Sequence, residues 1–140
     1  MCRRGNAGDF DAVYRLICEL ENQTFDRRKL HEIYMQQLQD MHYCCLVYEF
    51  EGEIVGMLNM RFEMQMHHAG MVAEILEFAV SGQHRSQGIG HELFAEACRI
   101  ARSESCTFIE AVSNQVRRDA HRFYLREGMQ NRSYKFSMPL

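Results

Sequence analysis

The chain has 140 residues, 46% of them hydrophobic and 25% charged, with a formal charge of −3. That suffices for one domain with a core of its own and is too apolar for disorder. The charge offers no electrostatic handle for nucleic acid or an anionic membrane as the main partner, and no apolar run nears the ~20 residues of a membrane span. The opening "MCRRGNAGDFDAVYRL" lacks the continuous apolar segment of a secretory signal, so a cytoplasmic chain is expected. Cys2, Cys18, Cys44, Cys45, Cys98 and Cys106 form no C-x-x-C pair and no zinc spacing, which points to reduced core thiols.

In chain order, Asp9 is placed to cap a helix whose apolar positions Phe10, Val13, Tyr14 and Ile17 recur at helical steps. Asp26 opens a second, with Leu30, Ile33, Tyr34 and Leu38 on one face. "HYCCLVYEF" and "IVGMLNMRF" flank the short "EGE" and predict a hairpin, with Cys44 and Cys45 pointing to opposite faces. Met57, Met60, Met64 and Met66 in or beside the second of these strands are expected to fill core gaps. "AEILEFAV" is a third strand, followed by "SGQHRSQG" and a helix from about Ile89 to Arg102 that turns Ile89, Leu93, Ala97, Ile100 and Ala101 inward. "CTFIEAV" is a strand, "RRDAHRFYLRE" a short helix stopped by Gly128, and "SYKFSMPL" a last strand. The order predicts one α/β domain over residues 1–140, with a mixed sheet, a hairpin-rich first half and crossover helices in the second.

The turn "RSQGIG" reads in two ways, as a tight turn chosen for its backbone geometry or as a seat for an anion. Gly88 and Gly90 bring no Cβ, so their backbone can approach a ligand closely. The first turn of a helix presents unpaired N–H groups and the positive end of its dipole, which suits a phosphate. Arg85 adds a fork of donors. His91-Glu92 stand where a P-loop needs lysine and serine or threonine, which excludes a Walker-type site, and the glycine spacing does not match a dinucleotide fingerprint.

Read whole, "EILEFAVSGQHRSQGIGHELFAEA" resembles the acetyl-CoA signature of the GNAT superfamily of N-acetyltransferases: a strand, then Arg85-x-x-Gly88-x-Gly90, then a helix. "NQVRRDAHRFYLREGM" resembles the superfamily's second signature, and the order of elements fits along nearly the whole chain. "DFDAVYRLICEL", "MHHAGMVAEILEF" and "RRDAHRFYLREGM" look like the aminoalkylphosphonate N-acetyltransferases within it, whereas "RSQGIG" follows the general superfamily pattern.

The resemblance implies a GNAT-like fold with splayed central parallel strands, and acetyl-CoA as co-substrate. The amides of Arg85, Ser86, Gln87, Gly88, Ile89, Gly90 and His91 would receive the pyrophosphate. The strand Phe78-Ala79-Val80 would pair with the pantetheine arm, an N–H near Phe78 facing the thioester carbonyl. Tyr124 matches the tyrosine that many members use as general acid, and a phenol is protonated at neutral pH. Phe123 would pack on the sheet or the coenzyme. Asn114 would either bond the pantetheine or cap the segment after it.

For the base, Glu77 leads and Glu74 follows. Three apart on a strand, they face opposite sides unless a bulge intervenes. His67 and His68 are weaker substrate-side candidates, with a divalent metal shared between one of them and Glu74 or Glu77 as an alternative. The expected reaction is direct acetyl transfer to a primary amine of a small molecule, by preference an aminoalkylphosphonate. Other acceptors are a polyamine, an aminoglycoside or a protein N-terminus, and the rival class is a non-catalytic acyl-CoA-binding regulatory module. The superfamily allows a homodimer.

Overall fold

The computed structural model describes all 140 residues. Its elements are β1 (Cys2–Arg4), α1 (Phe10–Glu21), α2 (Arg27–Leu38), β2 (Tyr43–Phe50), β3 (Glu53–Gln65), β4 (Gly70–Val80), α3 (Ile89–Ser103), β5 (Phe108–Ala111) and α4 (Arg118–Arg126), with short 3₁₀ turns at Ala7–Asp9, Met66–His68 and Gly82–His84. The chain forms two compact units, Met1–Glu110 and Ala111–Leu140.

The first unit is built on a sheet ordered β1-β2-β3-β4-β5. β1 to β4 pair antiparallel, and β4 runs parallel to β5, giving a mixed sheet. The hairpin expected at "EGE" is present. Phe50 pairs with Glu53, and the two loop residues Glu51 and Gly52 both have positive φ, as a tight hairpin following the sheet's twist requires.

α1 and α2 cover one face, burying Phe10, Val13, Leu16 and Tyr34 against Val47, Ile54, Met57 and Ala79. α3 covers the other and buries all five expected positions, with Phe94 added. Gly56 makes this close approach feasible, because a Cβ there would meet Leu93 Cδ1 at 3.0 Å and Ile89 Cγ2 at 3.2 Å. Cys44 and Cys45 do point to opposite faces. Cys44 Sγ accepts from Arg4 Nη1 at 3.2 Å, while Cys45 Sγ lies near the Tyr34 hydroxyl.

Several expectations are corrected. Asp9 does not cap α1; its carboxylate takes both Nη atoms of Arg3, at 2.8 and 2.9 Å, and the Asn6 N–H at 2.9 Å, while Asn6 caps the preceding 3₁₀ turn. Asp26 caps α2 as expected, accepting from the Lys29 N–H. Ile33 is 53% exposed, for α2 turns only Tyr34 fully inward. Met57 and Met60 are buried, but Met64 and Met66 are exposed, where β3 runs past the packed part of the sheet into the turn before β4.

In the second unit, α4 ends as expected, with Gly128 at φ +97°. The expected last strand is absent. Residues 129–140 have no regular structure, and Tyr134, Phe136 and Met138 are exposed. Alternation shows which face a strand would bury, but a strand also needs a neighbour to pair with. Conversely, β1 has only three residues, two of them arginines, and exists because it pairs with β2 from Cys2↔Tyr48 to Arg4↔Leu46.

Candidate active site

β4 carries the central feature. Glu77 pairs with Asn59 of β3, yet Met60 pairs with Ile75, leaving Leu76 as an extra residue in β4. This bulge resets the alternation. Arg61, two residues beyond Asn59, pairs with Glu74, so Glu74 and Glu77 emerge on one face rather than on two. Glu77 shares its side with Ala79, as regular alternation gives, but not with Ile75.

The two carboxylates sit in different company. Glu74 Oε2 accepts from Arg61 Nη2 at 2.7 Å and is neutralised by it. Glu77 has no cation. Its Oε2 accepts from Asn59 Nδ2 at 3.0 Å, and the same nitrogen donates to Gln37 Oε1 of α2 at 2.9 Å. Burial raises the Glu77 carboxyl above the usual carboxylate range; the Asn59 hydrogen bond opposes this and the charge of Glu21 adds to it. That is the character wanted in a base working near neutral pH.

β4 leads directly to the glycine turn. Phe78 and Val80 are half-buried, Ala79 is buried, and Arg85 Nε donates to the Val80 carbonyl at 3.4 Å. Ser86 and Gly88 take left-handed conformations, φ +63° and +82°. Gly88 stands at the N-cap of α3, where no side chain caps the helix. A Cβ on Gly88 would meet nothing within 4 Å, so the space before the first amides of α3 is open. Ser86, Gln87, Gly88 and His91 are exposed, Gly90 is half-buried, and Ile89 anchors the turn in the core. Uncapped amides beside an open cradle fit a diphosphate. From α1, Glu19 Oε1 accepts the Gly82 N–H at 2.9 Å and ties the turn down.

In the second unit Tyr124 is half-buried, and burial pushes its phenol up to about 12, so it is a proton donor at neutral pH. Its ring meets Phe123 edge-on, centroids 5.6 Å apart. Asn114 Oδ1 accepts from the Val116 N–H at 3.1 Å. Its carbonyl accepts the Arg117 N–H and lies 2.9 Å from His121 Nε2.

Residues 10–129 match the model of the acetyltransferase (GNAT) family. The chain belongs to the GNAT acetyltransferases. Within that family it is 37% identical over 140 residues, covering 99% of this chain and 90% of the other, to an aminoalkylphosphonate N-acetyltransferase of Salmonella typhimurium. The GNAT fold appears in solved structures as well. A transcriptional regulator from Bacillus halodurans superposes with a TM-score of 0.91 at 22% identity, covering 100% of this chain and 99% of that one. A GNAT acetyltransferase of Staphylococcus aureus gives 0.82 at 20% identity, over 100% and 98%.

The histidines are not with the carboxylates. His67 and His68 lie in the 3₁₀ turn before β4, at the opposite end of that strand from the GNAT glycine turn. His68 stacks on Phe108 at 4.3 Å, and its Nε2 lies 3.3 Å from Glu110 Oε2. No three His, Cys, Asp or Glu side chains converge as a metal would need, so the shared-metal alternative finds no support. No helix is long and apolar enough to cross a membrane.

Asn59, Gln37 and Arg61 were not singled out from the sequence. Asn59 did leave a signal: it interrupts the apolar run "IVGMLNMRF" and is one of only two buried polar residues, at 7% exposure. A buried amide in an apolar strand asks for partners.

Proposed function

We propose that the chain, acting as one transferase domain, moves acetyl from acetyl-CoA directly to a primary amine of a small molecule, an aminoalkylphosphonate by preference. The observation that carries the chemistry is the bulged β4, which holds a half-buried carboxylate without a cation just before an uncapped helix N-terminus. The 37% identity to an aminoalkylphosphonate N-acetyltransferase supports the acceptor class.

The amides from Arg85 to His91 hold the diphosphate, and the backbone of Phe78–Val80 lies along the pantetheine. Acetyl-CoA, when bound, supplies a thioester whose carbonyl carbon takes the amine and whose sulfur departs as thiolate. Glu77 removes a proton from the acceptor nitrogen, directly or through one water. The Tyr124 phenol gives a proton to the leaving sulfur; afterwards the phenolate regains a proton from solvent and Glu77 releases its own to solvent, so the protons balance across the turnover. Asn114 is occupied in its own turn, and Phe123 packs beside the phenol. No cysteine holds a matched nucleophile position, which favours direct attack over an acetylated enzyme.

The test is a thiol-release assay with acetyl-CoA and a panel of amines, alongside coenzyme binding. Aminoalkylphosphonates should give the highest kcat/KM, Tyr124→Phe should lower kcat by about 10- to 100-fold, and Gly88→Val should weaken acetyl-CoA binding at least tenfold while the domain stays folded. Tight coenzyme binding with no thiol released from any amine would sink the proposal.

A further inference from the structure

Asn59 stands at the point where three elements meet. It lies in β3, opposite Glu77 and immediately before the register shift. Its Nδ2 has two hydrogens, and both are used: one on Glu77 Oε2 at 3.0 Å, the other on Gln37 Oε1 of α2 at 2.9 Å. The residue is buried, at 7% exposure. A nitrogen committed to two acceptors cannot rotate without losing both, and a buried polar group left unpaired is destabilising.

We infer that Asn59 is a positioning residue for the base: it holds Glu77 Oε2, turns Oε1 toward the incoming amine, and through Gln37 ties that orientation to the seating of α2. This rests on the reading of Glu77 as general base. The amide donor is suited to the task for a chemical reason. An arginine or lysine in its place would stabilise the ionised carboxylate and weaken it as a base; in the next same-face pair of this ladder, Glu74 has such a cation in Arg61, 2.7 Å away. An apolar neighbour would leave the carboxylate free to turn away. An uncharged amide orients it at a modest cost in basicity.

The groups facing Glu77 are few. Glu21, the last residue of α1, adds negative charge, whereas the Cys45 thiol of β2 is pushed up to about 12 and stays neutral. Asn59 of β3 and Gln37 of α2 carry no charge, and on the same face the Arg61–Glu74 pair cancels itself. Removing the Asn59 hydrogen bond therefore makes Glu77 harder to ionise, and the acid limb of the rate profile moves to higher pH.

The experiment measures kcat against pH for the full chain with saturating acetyl-CoA. It uses a weakly basic amine, so that the acceptor's own protonation does not mask the limb. Wild type is compared with Asn59→Leu, Gln37→Leu and Glu77→Gln. Asn59→Leu should lower kcat about 10- to 100-fold, the cost of a misplaced reacting group. It should move the acid limb upward and leave the KM for acetyl-CoA unchanged. Gln37→Leu should shift the limb in the same direction by less. Glu77→Gln should remove the limb. If Glu77→Gln removes it while the other two leave it at the wild-type pH, Glu77 is the base and the inference about Asn59 is wrong. A Glu77→Gln enzyme with the wild-type limb would overturn the base reading and the inference with it. Should Asn59→Leu not fold, Gln37→Leu decides alone, and an unmoved limb counts against the inference.

Discussion

The two ends of α1 hold two carboxylates in opposite electrostatic circumstances. Before its first turn, Asp9 is clamped by both Nη atoms of Arg3 and by the Asn6 N–H, and Arg3 holds its carboxyl below the usual range. Beside its last residue, Glu77 meets the charge of Glu21 and a single amide donor, and burial holds its carboxyl above the usual range. A helix adds to the contrast, for its N-terminal end favours negative charge and its C-terminal end does not. The first carboxylate is arranged to remain ionised and bind the N-terminal segment to the sheet. The second is kept reluctant to ionise, which weakens the fold locally and suits the proposed role of base.

The sharpest way to break this comparison is at Glu77. Glu77→Gln keeps the shape and the acceptor oxygen for Asn59 but cannot take a proton. At neutral pH we expect kcat to fall about 100-fold or more, with unchanged affinity for acetyl-CoA by titration. A variant turning over at the wild-type rate would mean that Glu77 is structural. Asp9→Asn should show the reverse. It removes the bidentate partner of Arg3 and leaves only Glu49, at 3.2 Å, to pair with it; the cost should be about 1–2 kcal/mol by denaturant unfolding, while kcat of the folded enzyme is unaffected. The sign follows from the direction of the shift. A depressed carboxyl contributes stability above its unfolded pKa and loses it as pH falls through the folded one, so the gap between wild type and Asp9→Asn should close in acid.

How far the sequence discloses this depends on the residue. α3 was legible but for Phe94, since its inward face repeats at helical spacing and its N-terminus is marked by Gly88 and Gly90. The glycine turn was legible because only glycine does easily what φ +82° asks. Glu74 and Glu77 were recognisable as candidates, but not as neighbours on one face. That depends on Leu76 bulging out, and no residue type at that position announces a bulge. Asp9 was misread for a related reason. An aspartate ahead of an apolar helical pattern is the usual capping signal, and Arg3, its actual partner, comes from a three-residue strand that exists through pairing alone. Gln37 and Asn59 are 22 positions apart, and only the tertiary fold brings them to 2.9 Å.

A smaller effect concerns stability at Glu77. Its carboxyl is raised in the folded state, so above that folded pKa an ionised group is held where burial disfavours it, and stability falls as pH rises through the window. Glu77→Gln removes this penalty. Its melting temperature should exceed that of wild type at neutral pH and converge with it below the unfolded carboxylate pKa, about 4.3. Loss of activity together with gain of stability from one substitution would mark a site held in tension for function. A drop in melting temperature at neutral pH would show that Glu77 stabilises the fold as an ion.

The smallest effect distinguishes charge from burial as the reason Glu77 resists ionisation. Glu21 is exposed at the end of α1, so its contribution passes largely through solvent and is open to screening. Glu21→Gln should move the acid limb of kcat to lower pH, opposite to Asn59→Leu, and wild type in about 1 M salt should move the same way because the Debye length there is about 3 Å. Burial is indifferent to salt. The part of the displacement that survives high salt in Glu21→Gln is therefore the desolvation that β4 and the overlying helices impose, and it should be the larger part, as burial is the leading cause of the shift. If salt alone returned the limb to the ordinary carboxylate range, the reluctance of Glu77 would be the work of its charged neighbour, and the two ends of α1 would differ in their charges rather than in how they are covered.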